Sequence, residues 1–373
     1  MQEIKKRRIV LASVLKPADE PRMFDKIGMT LAKDYDVYCI GAPTGIARKG
    51  ATNPRILELQ RVKRLSPTRL LLPFTVLRHV IKLRPTLFII CTHELLLIAL
   101  LAKLITRCKV IYDIQENYYR NIIFGTSFPP FLRGLVAAFV RIKEWSSMVF
   151  VSHYFLAEKA YDGEMTFFGA RKTILENKVV GPVTPRKPNT IRGDEGIRFL
   201  FSGTLAETTG VFIAIDIVKK LHDLDNKVRL TIIGYSADSR IVELIHSSIQ
   251  DHDFIQLKGG RSIVPHTEIV SEIQWADVGI ISYPPNFSTV NSMPTKLFEY
   301  LAYRLPILLI DNPRWLQVCE PFNAAVPFNT DDFSAKAILR ALREHKFYTT
   351  VPQDVFWSGE EQKLLQSIEN VGI

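Results

Sequence analysis

The sequence predicts an α/β protein of two Rossmann-like domains, each a parallel sheet wrapped by helices. Three observations predict it. At 373 residues the chain is long for a single core. Short β-rich apolar runs alternate with helical patterns in both halves, the signature of parallel strands with right-handed crossovers. Between the halves lies a Pro- and Gly-rich segment, 180–196, that reads as a linker.

In the first half, strands are expected near 8–14, 36–42, 86–91, 109–114 and 148–152, and helices near 22–33, 68–83, 94–106, 129–144 and 153–161. In the second half, strands are expected near 197–202, 228–234, 254–258, 277–282 and 306–310, with helices near 209–223, 238–250, 265–274 and 295–303. The run 356–369 reads as a last amphipathic helix with Ser358 at its N-cap. The expected division is 1–185, 186–352, and a C-terminal helix in 353–373 that packs back on the first domain. Ligands of such sheets sit beyond the carboxyl ends of the strands, here in a cleft between the domains.

Composition narrows the function. The net charge of +10 divides unevenly: residues 1–190 hold 31 Lys+Arg against 15 Asp+Glu (+16), and 191–373 hold 17 against 23 (−6). The basic half suits phosphates or anionic lipid. The stretch Arg48–Arg84 carries ten basic residues, among them Arg61, Lys63, Arg64 and Arg69, and one acid, Glu58. With Leu70, Leu71, Phe74 and Leu77 it reads as an interfacial membrane element. Clustered stacking aromatics are lacking there, so no nucleic-acid partner is expected. The best membrane-span candidate, Leu87–Ile105, contains His93, Glu94 and Lys103 and reads instead as a strand and a packed helix. The N-terminus lacks an apolar signal region, and the four cysteines are scattered, which together point to the cytoplasm.

Two loops of the second half carry chemistry. After the first strand comes Phe201-Ser-Gly-Thr-Leu205, and Gly210-Val211 opens the next helix, a place where backbone N–H groups can approach a phosphate. In Asn291-Ser-Met-Pro-Thr-Lys-Leu-Phe-Glu-Tyr-Leu-Ala302, Pro294 suits a helix start and Ser292 or Thr295 its cap. Lys296 and Glu299 share one face: Lys296 with the helix terminus suits a diphosphate, and Glu299 the vicinal hydroxyls of a ribose. A capped helix with a surface ion pair is the alternative. His93, just past a strand, reads equally as a proton relay or a packed histidine, and Glu116 as an alternative relay. The pairs Asp223/Asp225 and Asp251/Asp253 read as solvated turns, and no metal ligand set is expected. The first strand lacks Gly-x-Gly-x-x-Gly, against a nicotinamide enzyme.

Taken in order, Ser202-Gly-Thr-Leu, Gly210-Val, Leu230-Thr-Ile-Ile-Gly234, Ile255-Gln-Leu-Lys-Gly259, Trp275-Ala-Asp-Val-Gly279 and Pro294-Thr-Lys-Leu-Phe-Glu-Tyr-Leu-Ala302 resemble the donor domain of glycosyltransferase family 4, the group 1 GT-B enzymes. Glu20-Pro-Arg22, Thr92-His-Glu94 and Val110-Ile-Tyr-Asp-Ile-Gln-Glu-Asn117 resemble its acceptor domain more loosely. The resemblance implies retaining, metal-independent and cofactor-free transfer from a nucleotide-sugar; with the charge division and the Arg48–Arg84 stretch, the expected acceptor is a glycan or lipid-linked one at the inner face of the cell membrane. It implies a donor set of Gly203, Thr204, Gly234, Arg261, Asn291, Ser292, Met293, Pro294, Thr295, Lys296 and Glu299. Arg22 and Gln115 fall on the acceptor or phosphate side, and His93, Glu116 and Lys296 are the catalytic candidates. Three positions depart from the family pattern: Asn291 replaces the first of two glutamates, Thr209 a lysine, and Gln115 a histidine. A non-catalytic subunit and an epimerase of the same fold are the alternatives.

Overall fold

A computed structural model describes residues 6–44, 52–62, 66–125, 128–185, 191, 196–285 and 291–373. The chain forms two compact units, 1–180 with 357–373, and 181–356.

The first unit is a seven-stranded, all-parallel sheet: β1 (Arg8–Pro17), β2 (Asp36–Ala42), β3 (Arg55–Glu58), β4 (Leu87–Ile90), β5 (Lys109–Ile114), β6 (His153–Leu156) and β7 (Lys172–Ile174), ordered β3-β2-β1-β4-β5-β6-β7. Its helices are α1 (Met29–Ala32), entered through a π-helical stretch Arg22–Gly28, α2 (Leu72–Leu83), α3 (Leu96–Thr106), α4 (Tyr118–Phe124), α5 (Pro130–Ser146) and α6 (Ala160–Glu164). Helices cover both faces, so central strands such as Leu87-Phe-Ile-Ile90 are buried at every residue. On one face α2 and α3 bury Val76, Val80, Leu96, Ile98 and Ala99 against Tyr112 and Tyr154.

The second unit repeats the plan with six parallel strands. These are β8 (Arg198–Thr204), β9 (Arg229–Tyr235), β10 (Ile255–Gly260), β11 (Val278–Ile281), β12 (Ile307–Ile310) and β13 (Ala325–Phe328), ordered β10-β9-β8-β11-β12-β13. Its helices are α7 (Val211–His222), α8 (Ser239–Ile249), α9 (His266–Trp275), α10 (Thr295–Tyr303), α11 (Pro313–Cys319) and α12 (Ala335–Glu344). In each unit the strand order reverses once, at β1/β4 and at β8/β11, and ligands of such sheets bind beyond the carboxyl ends at that point.

Helix α13 (Trp357–Asn370) packs on the first unit. Trp357, Leu364 and Ile368 are buried with Met23, Ile27 and Leu31. Trp357 Nε1 donates to Thr30 Oγ1 (3.0 Å), and the buried Lys178–Glu360 pair (2.9 Å) closes the contact. The helix starts at Trp357, so Ser358 lies inside it and not at the N-cap. Among the described residues no helix is long and apolar enough to cross a membrane.

Three expectations shift. The strand expected near 148–152 is a tight turn at Ser147–Val149, and the strand is β6, which lies inside the helix expected at 153–161. The apolar stretch is continuous across both, and only pairing with β5 (Ile111 opposite His153) fixes where it becomes a strand. The edge strands β3, β7 and β13 were not anticipated; they are three or four residues long and only partly buried, so they carry little apolar signal. Of the basic stretch, Arg48, Lys49, Lys63 and Arg64 lie outside the described residues. Arg69 is ion-paired with Glu94, and Arg55 with Asp36 (3.4 Å), so the stretch is not one continuous charged face.

Candidate functional site

In the second unit the carboxyl end of β8 carries Gly203 (φ +101°) and Thr204, followed by Gly210 (φ +78°) at the start of α7. A Cβ on Gly210 would lie 1.8 Å from the Ser282 carbonyl oxygen, so glycine there permits α7 to approach the end of β11. Ser282 Oγ donates back to the Gly210 carbonyl (2.8 Å). Gly234 has a similar part: a Cβ would lie 1.7 Å from the Gly203 carbonyl oxygen. Thr209 is buried and fastens the loop, bonding the carbonyls of Thr204 (2.8 Å) and Ala206 (2.9 Å).

Facing Gly203 is Lys296, whose Cε and Nζ lie 3.6 and 3.7 Å from where a Gly203 Cβ would be. Lys296 is buried, and its ammonium has no hydrogen-bond partner among the described residues. It lies over the rings of Phe201 (4.3 Å) and Tyr283 (5.2 Å). Burial pushes its pKa down to about 7, against the pull of the Glu299 charge. Neither Ser292 nor Thr295 is the N-cap of α10: Pro294 holds that position and gives no side-chain cap bond. The loop before it is held by Trp315 Nε1, which donates to the Ser292 carbonyl (2.9 Å). The result is a helix terminus whose N-cap proline offers no side-chain bond, with a desolvated cation beside it, a combination that stabilises a bound anion. Asn291 and Met293 lie in the same loop.

Glu299, one turn further, accepts from the exposed His266 Nε2 (2.5 Å). His266 was not found by sequence reading because it sits on α9, and only packing brings the two together. Arg261 is exposed and paired with Glu243 of α8 (2.9 Å), so its guanidinium belongs to a surface ion pair and not to the Lys296 cluster.

In the first unit a cavity of about 700 Å³ opens at the β1/β4 reversal. Its walls are largely apolar (Val14, Leu72, Ile122, Phe128, Val136, Val140), with Lys16, Arg61, Arg69, His93, Glu94 and Glu116 among the polar groups. His93 Nδ1 is 2.8 Å from Lys143 Nζ. An ammonium only donates, so the ring proton is on Nε2. Burial pushes the His93 pKa down to about 4, so the ring is neutral. Tyr118 packs edge-on against it (4.5 Å). Of the expected relays, then, His93 presents a donor, and Glu116, partly exposed and 3.8 Å from Lys16, presents the acceptor. Lys16 and Lys143 were missed as isolated basic residues in a basic half.

Gln115 takes the Lys16 ammonium on Oε1 (2.5 Å) and donates from Nε2 to Asp113 (2.7 Å). Arg22 needs a correction. It is wholly buried, its Nε and Nη2 donate to the Asp113 carboxylate (3.0 and 2.7 Å) and its Nη1 to the Leu175 carbonyl (2.6 Å). A guanidinium so enclosed contacts no phosphate; it ties β1's crossover to β5 and β7.

No protein-family model and no curated protein sequence matches the chain. Solved structures do. HepE of Anabaena, in complex with UDP-glucose, is 13% identical with a TM-score of 0.70, covering 98% of this chain and 100% of that one. Sucrose-phosphate synthase of Thermosynechococcus elongatus is 12% identical (TM-score 0.71), covering 98% and 99%. A trehalose-6-phosphate synthase, described in connection with glycosyl transfer with retention, is 11% identical (TM-score 0.63), covering 98% and 96%. Sequence identity this low establishes the fold: the chain has the two-domain GT-B fold of these nucleotide-sugar glycosyltransferases.

Proposed function

We propose that the protein is a glycosyltransferase that moves a sugar from a nucleotide-sugar to a glycan or lipid-linked acceptor at the cytoplasmic face of a membrane, with retention and without metal. One observation carries this reading: the buried Lys296 ammonium, without a hydrogen-bond partner among the described residues, beside the Pro294 start of α10 and the Gly203 loop. As the bond between the sugar C1 and the diphosphate oxygen breaks, negative charge grows on the diphosphate, and preformed positive groups stabilise it most at that point. Glu299, held by His266, accepts from the ribose hydroxyls. On the first unit the cavity receives the acceptor, His93 Nε2–H orients it, and its hydroxyl oxygen attacks C1 from the face the diphosphate leaves, which retains the configuration, while Glu116 takes the hydroxyl proton. The ligands of similar structures, UDP and UDP-glucose, support a uridine nucleotide as the first ligand to test.

Calorimetry with UDP tests the donor half. Glu299→Ala is expected to weaken binding about tenfold, the value of one hydrogen-bonded carboxylate at ~1.4 kcal/mol. His266→Ala is expected to weaken it less, since it removes only the group that orients Glu299. Equal affinity in Glu299→Ala and the parent removes Glu299 from the site. Transfer is expected to proceed in excess EDTA, because Lys296 and the helix terminus supply the positive charge at the leaving group. Activity lost in EDTA and restored by manganese overturns the metal-free mechanism.

A further inference from the structure

Helix α5 is packed the wrong way round for a globular core. Its buried residues are Ala137, Val140 and Glu144. Its outward face carries Phe131 (79% exposed), Leu135 (71%), Phe139 (66%), Ile142 (64%) and Trp145 (60%), followed by Val149 (90%). The spacing of four, four, three and three residues puts Phe131, Leu135, Phe139, Ile142 and Trp145 on one stripe of the 17-residue helix, about 25 Å long at 1.5 Å per residue, and Val149 follows just past its end. No charged residue is exposed on it: Arg133, Arg141 and Lys143 are half-buried at its flanks, bonded to Phe128, Asn117 and His93. Isolated exposed apolar residues are ordinary; a continuous, chargeless stripe is not.

Charge identifies what covers it. Helices α2 and α3 pack over the face of the sheet that carries Tyr112, and Tyr112 also donates to Glu144 of α5 (3.1 Å). Their outward positions add Leu104, Ile105, Arg78, Lys82, Arg84 and Arg107. The three helices contain one acidic residue, Glu144, and it is wholly buried. An apolar stripe on a group of helices whose exposed charges are all cations complements an anionic lipid surface, where aromatic and aliphatic side chains enter the headgroup boundary and cations meet the phosphates. The inner side of α5 contributes Val136 and Val140 to the acceptor cavity, and α2 contributes Leu72. We propose that α5 inserts its Phe131–Val149 stripe into an anionic membrane and forms the wall along which the apolar portion of a lipid-linked acceptor reaches the cavity. This inference rests on the membrane-side reading of the function and replaces the basic stretch by α5 as the inserting element.

Flotation of the full chain with vesicles of phosphatidylcholine and phosphatidylglycerol (7:3), and of phosphatidylcholine alone, is the test. The parent is expected to float with the anionic vesicles and to remain substantially bound in 0.5 M salt, because apolar insertion is not screened. The variant Phe131→Ser/Leu135→Ser/Phe139→Ser/Ile142→Ser changes only exposed positions and is expected to lose at least tenfold in bound fraction while keeping its UDP affinity. Brominated acyl chains are expected to quench tryptophan fluorescence in the parent and not in Trp145→Phe. Binding that survives the quadruple variant overturns the role of α5 and leaves the membrane reading standing. Failure of the parent to bind any vesicle overturns both. A parent dimer that the quadruple variant converts to monomer assigns the stripe to self-association and overturns the proposal.

Discussion

Lys296→Met is expected to lower turnover about a hundredfold to a thousandfold, the range seen when one preorganised group stabilising a charged transition state is removed. The fold is expected to persist or gain stability, because a methionine of similar length fills the space between Phe201 and Tyr283 without a desolvated charge. Opposite movements of activity and stability distinguish a functional lysine from a packing one. The pH dependence gives a second readout. The folded-state pKa is about 7, below the ordinary 10.5, so between these values the unfolded chain binds more protons than the folded one. Stability from this group therefore rises with pH across the window 7 to 10.5, by at most ~1.4 kcal/mol per unit, and is least below pH 7. A bound diphosphate restores the charge, so UDP binding above pH 7 takes up a proton. Both the slope and the proton uptake are expected to vanish in Lys296→Met; if turnover is unchanged, the diphosphate is held elsewhere.

Arg22→Gln is expected to destabilise the first unit by about 3–5 kcal/mol, since removing one partner leaves the Asp113 carboxylate buried with its charge uncompensated. Burial of Asp113 is complete, and its remaining donor is Gln115. Thermal melts of the parent and the variant measure the loss, and UDP affinity, a property of the second unit in this reading, is expected to be unchanged in the surviving folded protein. A variant as stable as the parent but impaired in transfer returns Arg22 to the phosphate side.

Both effects concern residues the sequence made visible, but only for Arg22 does the fold change the reading, from a phosphate-side residue to a buried ion pair. The pattern around Lys296 is local: a proline opening a helix, with Lys296 and Glu299 one turn apart, can be read along a single element. Arg22 is decided by Asp113, ninety-one positions away, and nothing in its own neighbourhood distinguishes a phosphate ligand from a buried ion pair. His266 on Glu299 and Lys143 on His93 are the same kind of case, partners from separate elements that meet only when the sheet is assembled.

What the sequence determined by itself was the alternation of strands and helices, the two-domain plan and the glycine and helix-start motifs at strand ends. These follow from local physics: period, steric freedom and the chemistry of helix termini. What only the tertiary structure decided was direction. Helix α5, Pro-Phe-Leu-Arg-Gly-Leu-Val-Ala-Ala-Phe-Val-Arg-Ile-Lys-Glu-Trp-Ser, is apolar on more than one side. Its pattern alone would bury Phe139 and expose Glu144, since large apolar side chains gain most by leaving water. The fold does the reverse: Tyr112 on β5 offers a hydroxyl to Glu144, and Ala137 and Val140 are the side chains turned inward beside it. Hydrophobicity specifies that a surface is to be covered, and the geometry of the neighbouring elements specifies what is left to cover it.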